Sequence, residues 1–173
     1  VETWIHSEEK YTGKILSLFV GDVRLENGRI AYREVVRHLG GVAIVPVIDQ
    51  RVILVRQFRI AIGRDILELP AGKLELGETP EACAHRELGE EIGYQAEQML
   101  FATSYYSSVG YTDERMHIFL AFQLRKVPQH LDPDEDIQVE YIPIAEISER
   151  LARREFEDAK TIVGLRELLA YIK

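Results

Sequence analysis

The stretch GGVAIVPVIDQRVILVRQFR, residues 40–59, most narrows what this chain can fold into. Val42 to Ile48 is apolar at every position, Asp49 and Gln50 offer a turn, and Val52 to Phe58 runs back. A strand that is apolar on both faces has to be covered on both, and helices are the usual cover. Helical signals follow at Thr79–Ile92, from Ile144 onward, and from Asp158 toward the end, with further strand candidates at Leu100–Ser104, Arg115–Gln123 and Ile137–Ile142. The pattern predicts an α/β chain, a three-layer α/β/α sandwich around a mixed sheet.

Upstream, Lys14 to Val36 alternates in strand fashion about a Glu26–Gly28 turn, which reads as an N-terminal β-hairpin. The expected organisation is therefore a β extension over 1–39 and one main domain over 40–173. A formal net charge of −8 leaves no broad basic face for a nucleic-acid polymer, so small anionic ligands fit better. Cys83 is the only cysteine, and His6, His38, His85, His117 and His130 give no zinc spacing, so any metal would have oxygen ligands. No apolar run approaches the ~20 residues of a spanning helix, and no membrane partner is expected.

Between Gly72 and Tyr94 the sequence GKLELGETPEACAHRELGEEIGY crowds glutamates together. Thr79-Pro80 is a helix start, with Thr79 as cap, and Gly93 is the left-handed stop. Ala84, Leu88 and Ile92 form the buried stripe, and Glu87 and Glu91 project together about 100° away from it. Like charges four apart cost roughly 0.2–0.5 kcal/mol per pair, so the face needs either open solvent or a cation. Glu90 can join Glu87 on one ion, and Arg86, four residues before Glu90, can orient it. Such oxygen donors beside a Gly-containing loop suit Mg²⁺, which also binds substrate phosphates.

The spacing favours the cation. Gly72, five residues, Glu78, seven residues, Arg86-Glu87-Leu88, one residue, Glu90-Glu91, one residue, then Gly93 and Tyr94 resembles the Nudix box. Only Tyr94 departs from it, where an aliphatic residue is usual. The resemblance implies a Nudix fold and hydrolysis of a nucleoside diphosphate linked to another group, with Mg²⁺ as cofactor and Mn²⁺ as an alternative. RQFR at Arg56–Arg59, ELPAGK at Glu68–Lys73 and Gly40-Gly41-Val42 look like the ADP-ribose pyrophosphatase and nucleoside diphosphate sugar hydrolase branch. In that branch the N-terminal hairpin is exchanged across a homodimer. By similarity, the Ala71 carbonyl, Glu87 and Glu91 are metal ligands with Glu90 beside them, and Arg59 holds the diphosphate or the distal sugar.

Two further features bear on the substrate. SSVGYTDE has Val109 where ADP-ribose pyrophosphatases tend to carry a proline, whereas Asp158-x-Lys160 looks like the Asp-x-Lys of nucleoside diphosphate sugar hydrolases. Asp158 is also a good helix cap, which leaves a purely structural reading of that pair open. The resemblance points to Glu135 in EDIQV as the catalytic base, with Glu140 as second choice, and Glu90 and Arg86 complete the catalytic set. Asp132, Asp134 and Asp136 imitate a calcium loop, but Ile137 stands where its glycine belongs, which excludes an EF-hand.

The resulting expectation is a pyrophosphohydrolase of nucleoside diphosphate sugars, ADP-ribose included. The alternatives are a dedicated ADP-ribose pyrophosphatase and a nucleotide-sensing module without turnover. The family default for compartment is cytoplasmic, while a chain beginning at Val1 rather than Met is compatible with a removed export signal and a periplasmic location.

Overall fold

The computed structural model describes residues 1–131, 133 and 136–173. Its contacts divide the chain into two compact units, Val1–Gly40 with Tyr105–Arg115, and Gly41–Ser104 with Met116–Lys173. The segment 105–115, assigned from sequence to the main domain, thus clusters with the extension.

In the first unit, β1 (Glu2–Thr12), β2 (Leu16–Leu25) and β3 (Ile30–His38) form an antiparallel sheet in that order. The expected hairpin is β2–β3, with Arg24 opposite Ile30 across the turn. β1 is an addition, because ETWIHSEEKYT is exposed throughout and needs no apolar alternation to mark it. Register shifts at Trp4/His6 and Glu9/Tyr11 break its ladder. The 105–115 segment is tied to β3 through Val36, whose N–H donates to the Tyr111 carbonyl at 2.7 Å.

The second unit runs β4 (Gly41–Ile48), β5 (Arg51–Arg59), β6 (Arg64–Glu68), β7 (Ala71–Lys73), α1 (Pro80–Ile92), β8 (Tyr94–Tyr106), β9 (Arg115–Lys126), β10 (Gln138–Pro143), α2 (Ile144–Ala152) and α3 (Ala159–Tyr171). Among the described residues these strands make a seven-stranded sheet with the path β10-β5-β4-β9-β8, β6 pairing β5 and β7 pairing β4. β4 runs parallel to β9 and antiparallel to β5 and β7, so the sheet is mixed. Asp49 and Gln50 both take positive φ, 48° and 58°, as the tight β4–β5 turn demands. β8 begins at Tyr94, earlier than the apolar run at Leu100 suggests, because its exposed edge positions are polar.

The doubly apolar β4 is covered as its pattern requires. Val42 and Ile44, with Ile53 and Val55 of β5, pack on Ala84, Leu88 and Ile92 of α1. On the opposite face Gly164 of α3 lies so close to the sheet that a Cβ there would stand 2.5 Å from Leu69 Cδ1 and 3.0 Å from Val45 Cγ2. Helices therefore lie on both sides of β4, as the three-layer reading requires. Tyr94, the departure from the box pattern, is buried in the α1 core, and its hydroxyl meets that of Tyr141 at 3.2 Å. None of the described helices is long and apolar enough to cross a membrane.

Gly164→Ala should lower stability by about 1–3 kcal/mol through overpacking against Leu69 and Val45. A urea midpoint unchanged from wild type would show that the layer can yield there.

Candidate active site

α1 starts and stops as its sequence directs. The Thr79 hydroxyl accepts the Ala82 N–H at 3.2 Å, Pro80 occupies the first turn, and Gly93 closes the helix at φ 68°. Its buried residues include two carboxylates, Glu87 at 8% exposure and Glu91 at 4%. Burying like charges one turn apart is costly unless cations or donors meet them.

Arg86 is one of those cations. Its Nε and Nη2 donate to the two oxygens of Glu78 at 2.9 and 3.0 Å, and its Nη1 donates to Glu87 Oε1 at 2.7 Å and Glu90 Oε2 at 2.9 Å. A further bond from Nη2 reaches the Lys73 carbonyl at 3.2 Å and ties the guanidinium to the Gly72 loop. Hydrogen bonding to Glu78 is the largest cause of a strongly raised Arg86 pKa, so the guanidinium stays charged. In return, the Arg86 hydrogen bonds hold the Glu78 carboxyl down at about 2. Glu78 thus braces Arg86.

The loop is shaped to the helix. A Cβ on Gly72 would lie 1.7 Å from Glu87 Oε1, so only glycine lets that carboxylate lie against the backbone. Glu91 Oε2 accepts the Ala71 N–H at 2.9 Å, which places residue 71 beside the second buried carboxylate. Ala71, Glu87 and Glu91 are thereby brought together, while Glu90, more exposed, leans on Arg86. Among the described residues no three acidic, histidine or cysteine side chains are gathered as a ready-made metal cage. The donor chemistry nevertheless fits a hard divalent ion: every donor is oxygen, three carboxylates share the Arg86 guanidinium and Glu91 adds a fourth on the same helix, leaving excess negative charge.

A second ion cluster lies nearby. Arg59 Nε and Nη2 donate to Glu68 Oε1 and Oε2 at 2.6 and 3.0 Å, and Lys160 also donates to Glu68 Oε2. Burial pushes the Glu68 carboxyl up, but the bonds from Arg59 and the charge and bond of Lys160 outweigh it and hold the pKa below its ordinary value. Hydrogen bonds to Glu68, aided by the charges of Glu68, Glu91 and Asp158, raise the Arg59 pKa, so this guanidinium also stays charged. Asp158 caps α3, its Oδ2 accepting the N–H and hydroxyl of Thr161 at 3.0 and 2.6 Å. Sequence reasoning assigned no role to Glu68 or Thr161; a carboxylate two residues before Pro70 at the end of an apolar strand was the available signal for the first.

Glu135, with Asp132 and Asp134, lies outside the described residues. Glu140, the second choice for the base, accepts from Arg56 Nε at 2.5 Å. It stands opposite Leu54 in the β5–β10 register, so strand alternation turns it away from the face of Ile53, Val55 and Val139 that packs on α1.

Comparison with known proteins gives the family. The family model of the NUDIX domain matches residues 37–163. The chain belongs to the Nudix family. Over 170 residues it is 42% identical to the ADP-ribose pyrophosphatase of Bacillus subtilis (strain 168), covering 96% of this chain and 92% of that protein. It is 36% identical over 170 residues to the methanol dehydrogenase activator of Bacillus methanolicus, with the same 96% and 92% coverage. A solved structure described as the crystal structure of ADP compounds hydrolase superposes with a TM-score of 0.89 at 23% identity, covering 99% of this chain and 94% of that one, a likeness of fold.

Because the folded Glu78 pKa, about 2, lies below its ordinary 4.5, its contribution to stability is complete above about pH 4.5 and is lost as pH falls toward about 2. Glu78→Gln should therefore lower stability at pH 7 and flatten the acid limb over that window. Urea midpoints measured from pH 7 down to pH 2 check this, and parallel curves for wild type and variant would refute it.

Proposed function

We propose that this chain is a divalent-metal-dependent pyrophosphohydrolase that cleaves nucleoside diphosphate sugars, ADP-ribose included, to a nucleoside monophosphate and a sugar phosphate. The observation that carries the reading is the pair of buried carboxylates Glu87 and Glu91, one turn apart on α1, facing the Gly72 loop and Ala71. The relationship to an ADP-ribose pyrophosphatase along nearly the whole chain supports the same substrate class.

In this reading Glu87, Glu91 and the Ala71 carbonyl hold Mg²⁺, or Mn²⁺ in its place, with Glu90 beside them. The ion supplies charge neutralisation for the diphosphate and a more acidic water. The chain's own residues do the rest. Arg86 fixes the rotamers of Glu87 and Glu90 and stays charged, so the carboxylates remain ionised and oriented. Arg59, the more exposed end of its ion cluster, receives the diphosphate. Glu135 removes the proton of the attacking water, a role that Glu140 fills poorly because Arg56 holds it on the other face.

Retention of Glu87, Glu90 and Glu91 weighs against a sensing module without turnover. We further propose that the extension over 1–39 forms a homodimer. Trp4, Ile5 and Tyr11 of β1 are exposed, and among the described residues β1 is an edge strand of its sheet.

A panel of nucleotide sugars with Mg²⁺ should yield nucleoside monophosphate from ADP-ribose and other members; release from none would sink the proposal. Glu87→Gln should cost at least about 100-fold in kcat with an unchanged melting profile. Retained activity with wild-type Mg²⁺ dependence would remove Glu87 from the ligand set. Light scattering should give twice the chain mass, and deletion of Val1–Thr12 should halve it; a wild-type monomer would refute the dimer.

A further inference from the structure

The Asp158-x-Lys160 pair invites assignment to the sugar, yet its geometry leaves little to offer a ligand. Asp158 Oδ2 is taken by Thr161, and Oδ1 lies 3.0 Å from Lys160 Nζ. Lys160 is shared between Asp158 and Glu68, and its side chain is only 15% exposed. Glu68, 3% exposed, has both oxygens occupied by Arg59 and Lys160. The Arg59 side chain, 41% exposed, is the outward end of the chain of contacts, and its Nη1 takes part in none of these bonds.

We propose that Asp158 and Lys160 are positioning residues that act through Glu68, holding the Arg59 guanidinium toward the bound diphosphate, and that neither touches the sugar. The proposal rests on the pyrophosphohydrolase reading, in which Arg59 receives the diphosphate.

Glu68 divides its charge between two cations, Arg59 and Lys160. Glu68 alone would cancel the charge that Arg59 offers an anion. The Lys160 ammonium takes part of the Glu68 charge, so that the exposed guanidinium keeps its attraction for phosphate oxygens. Asp158 in turn restrains Lys160. Being the cap, it precedes the helix, and its side chain can meet a residue two positions on, which two helical residues cannot do. The Thr161 hydroxyl also accepts the Leu69 N–H at 2.8 Å, so the same helix start anchors the backbone next to Glu68. Bidentate pairing by Arg59 leaves the guanidinium plane fixed, which a freely rotating side chain would have to achieve on binding.

A double-mutant cycle decides the matter. Lys160→Met, Arg59→Ala and the combined variant would be assayed for KM and kcat with ADP-ribose and Mg²⁺, and for ADP-ribose Kd by calorimetry. Lys160→Met should raise KM and Kd about tenfold, the scale of a weakened charge-assisted bond, with kcat little changed. In the Arg59→Ala background the same substitution should change nothing further. Lys160→Arg should restore most of the loss, since a guanidinium can still pair with Glu68.

Losses that multiply in the combined variant would show Lys160 contacting the ligand itself and would overturn the proposal. Should Lys160→Met fail to fold, the neutral pair Glu68→Gln with Lys160→Met serves in the same cycle. Binding without turnover by the wild type would refute the hydrolase reading while the Kd cycle still judges the positioning. Neither binding nor turnover would overturn both.

Discussion

Arg86 donates at once to Glu78, Glu87 and Glu90 and to the Lys73 carbonyl, and the arrangement of the site depends on those bonds. Without a fixed cation there, the acidic side of α1 would repel itself and the Gly72 loop would lose one of its links to the helix. Arginine suits the post because its planar fork meets several oxygens in fixed directions, and because it does not lose its proton among carboxylates. The guanidinium does not neutralise the cluster. It organises three carboxylates and, with Glu91 beside them, leaves an excess of negative charge, which is the electrostatic condition for taking up a divalent ion.

The segment from Glu68 to Lys73 links this network to the second one. Glu68 belongs to the Arg59–Lys160 cluster, Leu69 is bonded to Thr161, and Pro70 gives its carbonyl to the Ile44 N–H at 2.9 Å. Ala71 is bonded to Glu91, and Gly72 lets Glu87 approach. Six consecutive residues are thus anchored in turn by α3, β4 and α1. The residues proposed to hold a metal and the arginine proposed to hold the diphosphate are held against one short stretch of backbone, which favours the constant spacing that a diphosphate substrate needs.

Much of this was legible in the chain. The doubly apolar run Val42–Ile48 required cover on both faces and has it, and Thr79, Pro80 and Gly93 bounded α1 through local chemistry that no distant contact had to supply. The spacing of Glu78, Arg86, Glu87, Glu90 and Glu91 carried the family. β1 and the first part of β8 escaped notice because exposed strands show no apolar alternation. Glu68 escaped because a single carboxylate in a short strand looks like a surface residue until its partners, from β5 and α3, are known.

By itself, then, the sequence determined the acidic helix, its caps, its buried stripe and the set of box residues, since all of these follow from spacing within one short segment. Only the tertiary structure decided how the carboxylates are used. It placed Glu87 against Gly72 and Glu91 against Ala71, turned Glu140 away toward Arg56, and joined Lys160 to both Glu68 and Asp158. Those outcomes rest on contacts between residues far apart in the chain. Helical periodicity and local capping cannot encode such contacts, because they depend on which strand edge a helix start happens to meet.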